Sequence, residues 1–434
     1  MRTVELIQRK RDGEDFGRDE IEFFLQGTLK GEIPDYQASA LLMAIYFTGL
    51  TDAEMVDWTQ SMMALSPALD LSGVTGPKID KHSTGGVGDK TSLIVGPLAA
   101  AAGVCVPTIA ARGLAHTGGS LDKFQSIPGF NLKLSGKEFK AALQKNGIAI
   151  MAETEELNPA ARKLASLRND SATVESIPLI VSSLLSRKLV EGIDGLVLDV
   201  KTGSGALIKK MTDSRRLAQS LVNVAKRMNK KAISVISDMD QPLGNAIGNA
   251  LEVMEAVESM RGNGPADVVD LSLELAARMV CLAFPDRSLD AAKEEVFKLL
   301  NDGSALKKFR QMIEAQGGNP QIVDSFELLP NASADFVISS PRAGFVSRIS
   351  ADDIGQAVTL LGGGRDKPDA VIDYAVGIVL EHKVGDRVQA GERLCTIYYN
   401  DPTHLEEASQ TVEDAFHISA VAPEPRPLIY EVLQ

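Results

Sequence analysis

Apolar residues recur at helical spacing through the first 65 residues of the chain. Pro34 stands where a helix would begin, and Thr51 with Glu54 matches a capping box for the next helix. One set of apolar positions falls on a single helical face, namely Ala38, Leu41, Leu42, Ile45 and Tyr46. The pattern therefore predicts an N-terminal helical domain, followed by a linker over 69–76.

From Lys78 the pattern changes to short apolar segments that each end near a polar or glycine cluster. Strands that alternate with helices predict an α/β sheet with ligands at the carboxyl ends of the strands. Between Arg162 and Leu189 the helical pattern returns, so this insertion is expected to rejoin the N-terminal helices. The predicted strands are Val104–Ala110, Ile148–Met151, Gly195–Asp199 and Ala232–Ile236.

Residues that favour strands dominate after about Leu329, in the segments Val337–Ile349 and Gly377–Tyr399. We expect a compact α+β domain in this part of the chain. The predicted division is a helical domain at 1–68 and 161–192, an α/β domain at 69–160 and 193–330, and a C-terminal domain at 331–434.

Composition and charge limit the partners that the protein can have. The formal net charge is −13 over 434 residues, so no broad basic field is available for nucleic acid or an anionic membrane. Cys105, Cys281 and Cys395 are widely spaced and predict neither a disulfide framework nor a metal cluster. The charged N-terminus lacks an apolar signal core, and we therefore expect a cytoplasmic protein.

The segment Lys81–Ser92 carries the strongest candidate chemistry. A lysine, a histidine and a serine precede a glycine-rich loop, and an apolar, alanine-rich segment follows from Leu93. Backbone N–H groups of such a loop and the positive end of a helix converge on one point, which suits a phosphate. Asp89 is a plausible N-cap of that helix. The alternative is a tight turn that binds no ligand.

Two common nucleotide-binding motifs fail in this segment. A P-loop needs a glycine directly before its Lys-Thr pair, but Asp89 stands there. A dinucleotide-binding fingerprint needs its last glycine where Thr91 stands. Further glycine loops lie at 113–119, 203–205 and 244–248. Several such loops on one sheet predict a small, polar ligand that is held largely by backbone groups.

Five segments together resemble the pyrimidine-nucleoside and thymidine phosphorylases, and the resemblance covers nearly the whole chain. They are KHSTGGVGD at 81–89, RGLAHTGG at 112–119, SIPLI at 176–180, LDVKTGSG at 198–205 and VISDMDQPLG at 235–244. The resemblance implies a pentosyltransferase that carries out reversible phosphorolysis of pyrimidine (deoxy)nucleosides such as thymidine and uridine. The products are the free base and (deoxy)ribose 1-phosphate.

The same resemblance implies the architecture and the partners. It implies an α/β protein with a split helical domain, a larger α/β phosphate-binding domain with a mixed sheet, and a C-terminal α+β portion. Inorganic phosphate is the cosubstrate, no cofactor is required, and some members bind a potassium ion. Family members form homodimers through the helical domain, so the same is expected here.

Site residues are carried over from the resemblance position by position. It assigns phosphate binding to Lys81, Ser83, Ser92 and Ser120, and it places His82 between base and phosphate as the acid or hydrogen-bond donor. Catalytic roles are implied for His82, Arg168 and Arg187. The residues expected to hold the base are Leu114, Arg168, Ser183 and Arg187.

Several positions depart from the family pattern. Thr108 and Ala110 stand where a lysine and a serine are usual, which should weaken the phosphate pocket unless a neighbour such as Lys90 compensates. Ala165 replaces a tyrosine, and Arg187 replaces a lysine whose hydrogen bonds a wider guanidinium does not simply reproduce. Either these changes are neutral or they alter the preference for base or sugar.

The potassium site of the family corresponds to Gly88, Leu243, Ala246 and Glu255. Lys90 is unusual at its position, where a small or hydroxylated residue is normal. We therefore hypothesise that the ammonium of Lys90 takes the place of the ion.

Other functions remain open from the sequence. One alternative is a phosphorylase of the same fold that prefers another nucleobase. A second is a nucleoside-binding homologue with weak turnover, and a third is a phosphoribosyltransferase of related architecture.

Overall fold

The computed structural model describes residues 1–67, 69–110, 118–365 and 370–434. The chain begins with a bundle of helices whose apolar sides face one another, with Phe24 and Trp58 in ring contact at a centroid distance of 5.5 Å. These helices are α1 (Thr3–Arg11), α2 (Arg18–Lys30), α3 (Asp35–Thr48) and α4 (Asp52–Ala64).

The capping box and the apolar helical face that the sequence predicts are confirmed, with one residue as an exception. The capping box is confirmed, because Thr51 accepts a hydrogen bond from the Glu54 N–H and the Glu54 carboxylate accepts one from the Thr51 N–H. On α3 the predicted apolar face is buried except for Tyr46, which is 39% exposed. Tyr46 lies one residue past the buried stripe and packs edge-on against the exposed ring of Phe47.

The first half of the α/β domain follows, and then two helices return to the bundle, where α8 contacts α2 and α3, and α9 contacts α4. In chain order the elements are β1 (Ile79–Ser83), α5 (Thr91–Ala101), β2 (Val106–Ala110), α6 (Ser120–Gln125), α7 (Gly136–Asn146), β3 (Ile148–Ala152), α8 (Pro159–Asp170) and α9 (Ile177–Leu189).

The second half of the α/β domain contains two long strands of the central sheet and the helices that cover it. Its elements are β4 (Gly195–Thr202), α10 (Met211–Arg227), β5 (Lys231–Asp238), β6 (Ala246–Ile247), α11 (Asn249–Met260), α12 (Ala266–Ala283), α13 (Leu289–Asn301) and α14 (Ser304–Ala315).

The remaining elements form the α+β region that the strand-forming residues predict, except for the last strand, β13, which joins the central sheet. They are β7 (Ala334–Ser339), β8 (Gly344–Ile349), α15 (Ala351–Leu360), β9 (Gly377–Leu380), β10 (Arg387–Val388), β11 (Arg393–Tyr399), α16 (Leu405–Ala415), β12 (Phe416–Ser419) and β13 (Ile429–Leu433). Two antiparallel sheets form here, with the orders β6-β9-β11-β7 and β10-β8-β12.

The central sheet has the order β1-β4-β5-β13 and is mixed, because β1, β4 and β5 run parallel whereas β13 is antiparallel to β5. A parallel pair, β2 and β3, lies beside β1 and is linked to it by a bridge between Lys78 and Cys105. The four predicted strands are confirmed, although β4 and β5 continue to Thr202 and Asp238. The carboxyl ends of these parallel strands share one edge, where ligands usually bind.

Helix α5 crosses the interior of the α/β domain. Its apolar side chains Leu93, Ile94, Val95 and Leu98 are fully buried, and it packs against α12 and α14. Within the described ranges, no helix has the combination of length and apolar character that a membrane span requires.

Candidate active site

A cavity of about 800 Å³ lies between the helical bundle and the carboxyl ends of β1, β2 and β3. It brings together the side chains that the sequence assigns to the base, with the exception of Leu114, which lies outside the described residues. The sheet side contributes His82, Ala110 and Glu153 to the lining. Helices α8 and α9 contribute Ala165, Arg168, Ser183 and Arg187.

Arg168 is held firmly at the last turn of α8. Its guanidinium donates to the carbonyl of Thr173 at 3.3 Å, to that of Leu179 at 3.4 Å, and to that of Val174. Burial, reinforced by the nearby charge of Arg187, lowers the pKa of Arg168 to about 10. A guanidinium carries five N–H bonds, so donors remain for a ligand in the cavity.

Arg187 and Glu153 form a pair on the cavity wall that the sequence prediction did not include. The Arg187 Nε lies 3.5 Å from the Glu153 Oε1, and this Nε is buried with no hydrogen-bond partner among the described residues. Burial raises the pKa of Glu153, against the opposing pull of Arg187 and Arg162. Together the pair offers a donor beside an acceptor, which matches a ligand edge with a carbonyl beside an N–H. The available signal for Glu153 was its place directly after the strand β3.

His82 faces the cavity among positive charges. Burial lowers the pKa of His82 well below its usual value, and the charges of Lys188, Lys81 and Arg187 lower it further. The imidazole is therefore neutral near pH 7. Of the two roles suggested by the sequence, this favours a hydrogen-bond donor over a charged acid.

We expect the His82 ring to titrate with a midpoint below 6.5, because its charged form is opposed by burial and by three cations. Histidine-selective NMR of the full chain measures this directly, and a His82→Asn variant assigns the signal. A midpoint at or above 6.5 contradicts the neutral imidazole.

Lys81 and Ser83, two of the predicted phosphate residues, lie on the face of β1 opposite to His82, because successive side chains on a strand point in opposite directions. The ammonium of Lys81 donates to the Thr91 hydroxyl at 2.6 Å and to the Ser92 hydroxyl at 3.4 Å. Ser83 accepts a hydrogen bond from the Gly85 N–H at 3.3 Å. Ser120 begins α6, and no hydrogen bond among the described residues joins it to Lys81 or Ser92.

Asp89 is not the N-cap that the sequence suggests. Helix α5 begins at Thr91 and its N-cap is Lys90, so the Asp89 carboxylate stands one residue earlier and accepts the Thr91 N–H at 3.2 Å and hydroxyl at 2.5 Å. Burial opposes its charge, but Lys81, Lys201 and Lys123 outweigh burial and hold the pKa of Asp89 well below its usual range. The carboxylate therefore orients the partners of Lys81.

A buried ion cluster lies under Thr108. Lys188 donates to Asp80 at 2.7 Å, to Glu191 at 2.8 Å and to the Ile109 carbonyl at 2.7 Å. Thr108 donates to the same Asp80 carboxylate at 2.6 Å. Burial alone would lower the pKa of Lys188, but Asp80 and Glu191 outweigh it and raise the pKa, whereas burial raises the pKa of Glu191 well above its usual value. At position 108, where a lysine is usual in the family, this chain therefore has a hydroxyl that donates a hydrogen bond to the ion cluster.

Lys90 does not compensate in the phosphate pocket, so the exception that the sequence left open does not apply. Its ammonium points away and donates to the carbonyls of Leu243 at 2.8 Å and Ala246 at 2.9 Å and to the Glu255 carboxylate. Gly88, the fourth predicted potassium ligand, instead accepts the backbone N–H of Lys90 at 2.9 Å. A potassium ion would need oxygens that the ammonium already holds, so the residues present do not fit the ion. No other cluster of metal-ligating side chains occurs among the described residues.

Comparisons with known proteins cover the same three regions. Family models match residues 4–66 (glycosyl transferase family, helical bundle domain), 75–306 (glycosyl transferase family, a/b domain) and 345–419 (pyrimidine nucleoside phosphorylase C-terminal domain). The pyrimidine-nucleoside phosphorylase of Geobacillus stearothermophilus is 46% identical over 431 residues, which is 99% of each chain. This chain belongs to the pyrimidine-nucleoside phosphorylase family.

Other members of the family match over a similar length. The enzyme of Bacillus subtilis strain 168 is 45% identical and that of Staphylococcus haemolyticus is 43% identical, over 98% and 100% of both chains. A solved anthranilate phosphoribosyltransferase from Thermus thermophilus aligns with a TM-score of 0.60 over 72% of this chain and 99% of its own. At 17% sequence identity this likeness shows a shared fold and does not extend to activity.

Proposed function

We propose that the protein catalyses the reversible phosphorolysis of pyrimidine nucleosides, and that uridine and thymidine are substrates. The observation that carries the proposal is the cavity between bundle and sheet, which gathers His82, Arg168, Ser183 and Arg187 around one space. Lys81 precedes His82 on β1 and donates a hydrogen bond to the Ser92 hydroxyl on α5. Full-length similarity to enzymes named for this reaction supports the same conclusion.

The chemistry follows from where charge develops. The bond between the sugar C1′ and the base N1 breaks while a phosphate oxygen bonds to C1′, so electrons leave with the base. The guanidinium groups of Arg168 and Arg187 and the N–H of His82 stabilise the negative charge on the departing base. Lys81 and Ser92 hold phosphate in position for its attack on the sugar. No step requires an enzyme nucleophile.

Phosphate is then the cosubstrate, and the proposed mechanism needs no further cofactor. The cytoplasmic location and the homodimer through the helical bundle stay predictions.

A second candidate, a phosphorylase with a different base preference, is favoured by two features of the same cavity. Ala165 leaves open the volume that a tyrosine would fill, and the Arg187–Glu153 pair adds a carboxylate to the wall. A carboxylate only accepts hydrogen bonds, so it selects bases with an N–H or amino group toward it.

A panel of nucleosides tests the proposal. The purified chain is incubated with uridine, thymidine, cytidine, inosine or guanosine, with and without phosphate, and release of the free base is followed by chromatography. We expect release from uridine and thymidine that depends on phosphate. Release from cytidine or purine nucleosides only would favour the second candidate, and binding without any release would overturn both.

A further inference from the structure

Lys90 lies in the segment Lys81–Ser92, which is called the phosphate segment below, and its ammonium is fully enclosed. The side chain is 0% exposed, and its three acceptors are two backbone carbonyls and one carboxylate. An ammonium has three N–H donors, so every donor is satisfied without water. The Glu255 carboxylate is itself fixed by the N–H groups of Asn245 and Ala246, each at 3.0 Å.

The three acceptors lie close to one another in sequence but far from Lys90. Leu243 and Ala246 lie around the turn into β6, and Glu255 lies on α11, whereas Lys90 directly precedes α5. A Cβ placed on Gly244 would meet the Lys90 Nζ at 2.7 Å, so the backbone closes directly over the ammonium. The ammonium therefore fills the position that an ion held by these three oxygens would take.

A second lysine holds the same turn from the C-terminal region. Lys383 donates to the Gly244 carbonyl at 2.7 Å, to Asp267 at 3.1 Å and to the Pro242 carbonyl. The turn at 242–246 is therefore fixed from two sides by ammonium groups. One comes from the phosphate segment and the other from the α+β region.

We propose that Lys90 is a covalently built-in cation that replaces a monovalent metal ion and ties the phosphate segment to the turn at 242–246. As a consequence, neither the stability nor the turnover of this protein depends on potassium. Lys90 also stands between Asp89 and Thr91, the partner of Lys81. It is therefore a positioning residue for phosphate, and only this last point rests on the proposed function.

The first test measures thermal unfolding midpoints in potassium chloride and in choline chloride at equal ionic strength, about 0.1 M, so that screening is the same in both. The wild-type chain should have one midpoint in both salts. Lys90→Thr should unfold about 5–10 °C lower in choline chloride, because the partly buried carboxylate of Glu255 loses its partner, and should regain part of this loss in potassium chloride. Lys90→Met should have a low unfolding midpoint in both salts, since the methionine side chain fills the space of the lysine but carries no charge.

Lys226→Thr on the exposed face of α10 is the matched control and should leave the midpoint unchanged in both salts. A wild-type midpoint that rises with potassium overturns the proposal, as does a Lys90→Thr midpoint equal to that of the wild type. If Lys90→Thr folds in neither salt, the wild-type midpoints in the two salts alone decide whether the proposal stands.

A kinetic measurement tests the positioning role. In choline chloride, Lys90→Thr should raise the KM for phosphate more than it lowers kcat, and potassium should reverse part of the change. Equal effects on both constants, or no effect of potassium on either, contradict this role. The unfolding midpoints do not depend on turnover, so failure of the proposed function and failure of the built-in cation are distinguishable.

Discussion

Replacing Lys81 by methionine should lower kcat/KM for phosphate by about 10²–10³-fold, the loss expected when one donor to a reacting anion is removed. Lys81 is buried on β1, and its ammonium donates to the hydroxyls of Thr91 and Ser92. Thr108 and Ala110 contribute no positive charge nearby, while Lys188 and Lys90 are engaged by carboxylates. Lys81 is therefore expected to carry a large share of the attraction for phosphate.

Steady-state rates at saturating uridine and varied phosphate provide the measurement, and the KM for uridine should change little. Lys226→Met, on an exposed face, is the matched control and should behave like the wild type. Lys81→Arg keeps the charge and should retain the fold together with part of the activity. A loss of less than ten-fold in Lys81→Met would remove Lys81 from the phosphate site.

Replacing Lys188 by methionine should lower the free energy of unfolding by about 3–5 kcal/mol, because two buried carboxylates lose their common cation. Lys188, Asp80 and Glu191 are each 3% exposed or less. The ammonium also binds the Ile109 carbonyl, so its loss removes a charged donor from three acceptors, and only neutral donors to Asp80 and Glu191 remain. Urea unfolding followed by circular dichroism measures the change.

The exposed pair between Lys163 and Asp35 offers a matched control, with side chains 35% and 60% exposed. Lys163→Met should change the free energy of unfolding by about 1 kcal/mol or less, since water screens such pairs. Adding Asp80→Asn and Glu191→Gln to Lys188→Met should recover much of the loss, because the uncompensated charges are then gone. If Lys188→Met has the same free energy of unfolding as Lys163→Met, the prediction is contradicted. Asp80 and Glu191 would then not depend on the charge of Lys188.

The sequence predicts well where a local pattern decides the structure. Buried parallel strands appear as apolar runs, so β2 to β5 are found from the sequence to within a few residues. Side-chain partners distant in sequence leave no such pattern. Lys188 and Glu191 look like ordinary helical surface charges, and only the fold shows that Asp80 meets them.

The cavity shows the same limit. The family motifs point to Arg168, Ser183 and Arg187, and the fold brings them into one space. Glu153 lies in none of the family motifs, and only the fold shows that its carboxylate approaches Arg187 on the wall of the cavity. For Lys90 the sequence predicts part of the answer. The family resemblance indicates a potassium site around this residue, but only the packing shows that the ammonium donates to the carbonyls of Leu243 and Ala246.

The antiparallel strand β13 has a consequence for the biogenesis of the chain. It covers the edge of β5, yet residues 239–428 separate the two strands in sequence. During synthesis, the parallel core of the central sheet can form while its β5 edge still has open hydrogen-bonding groups, which favour pairing with other chains. That edge closes only after residues 239–428 and then β13 have left the ribosome and β13 has docked, so chains stalled between the two strands are the species most prone to aggregate.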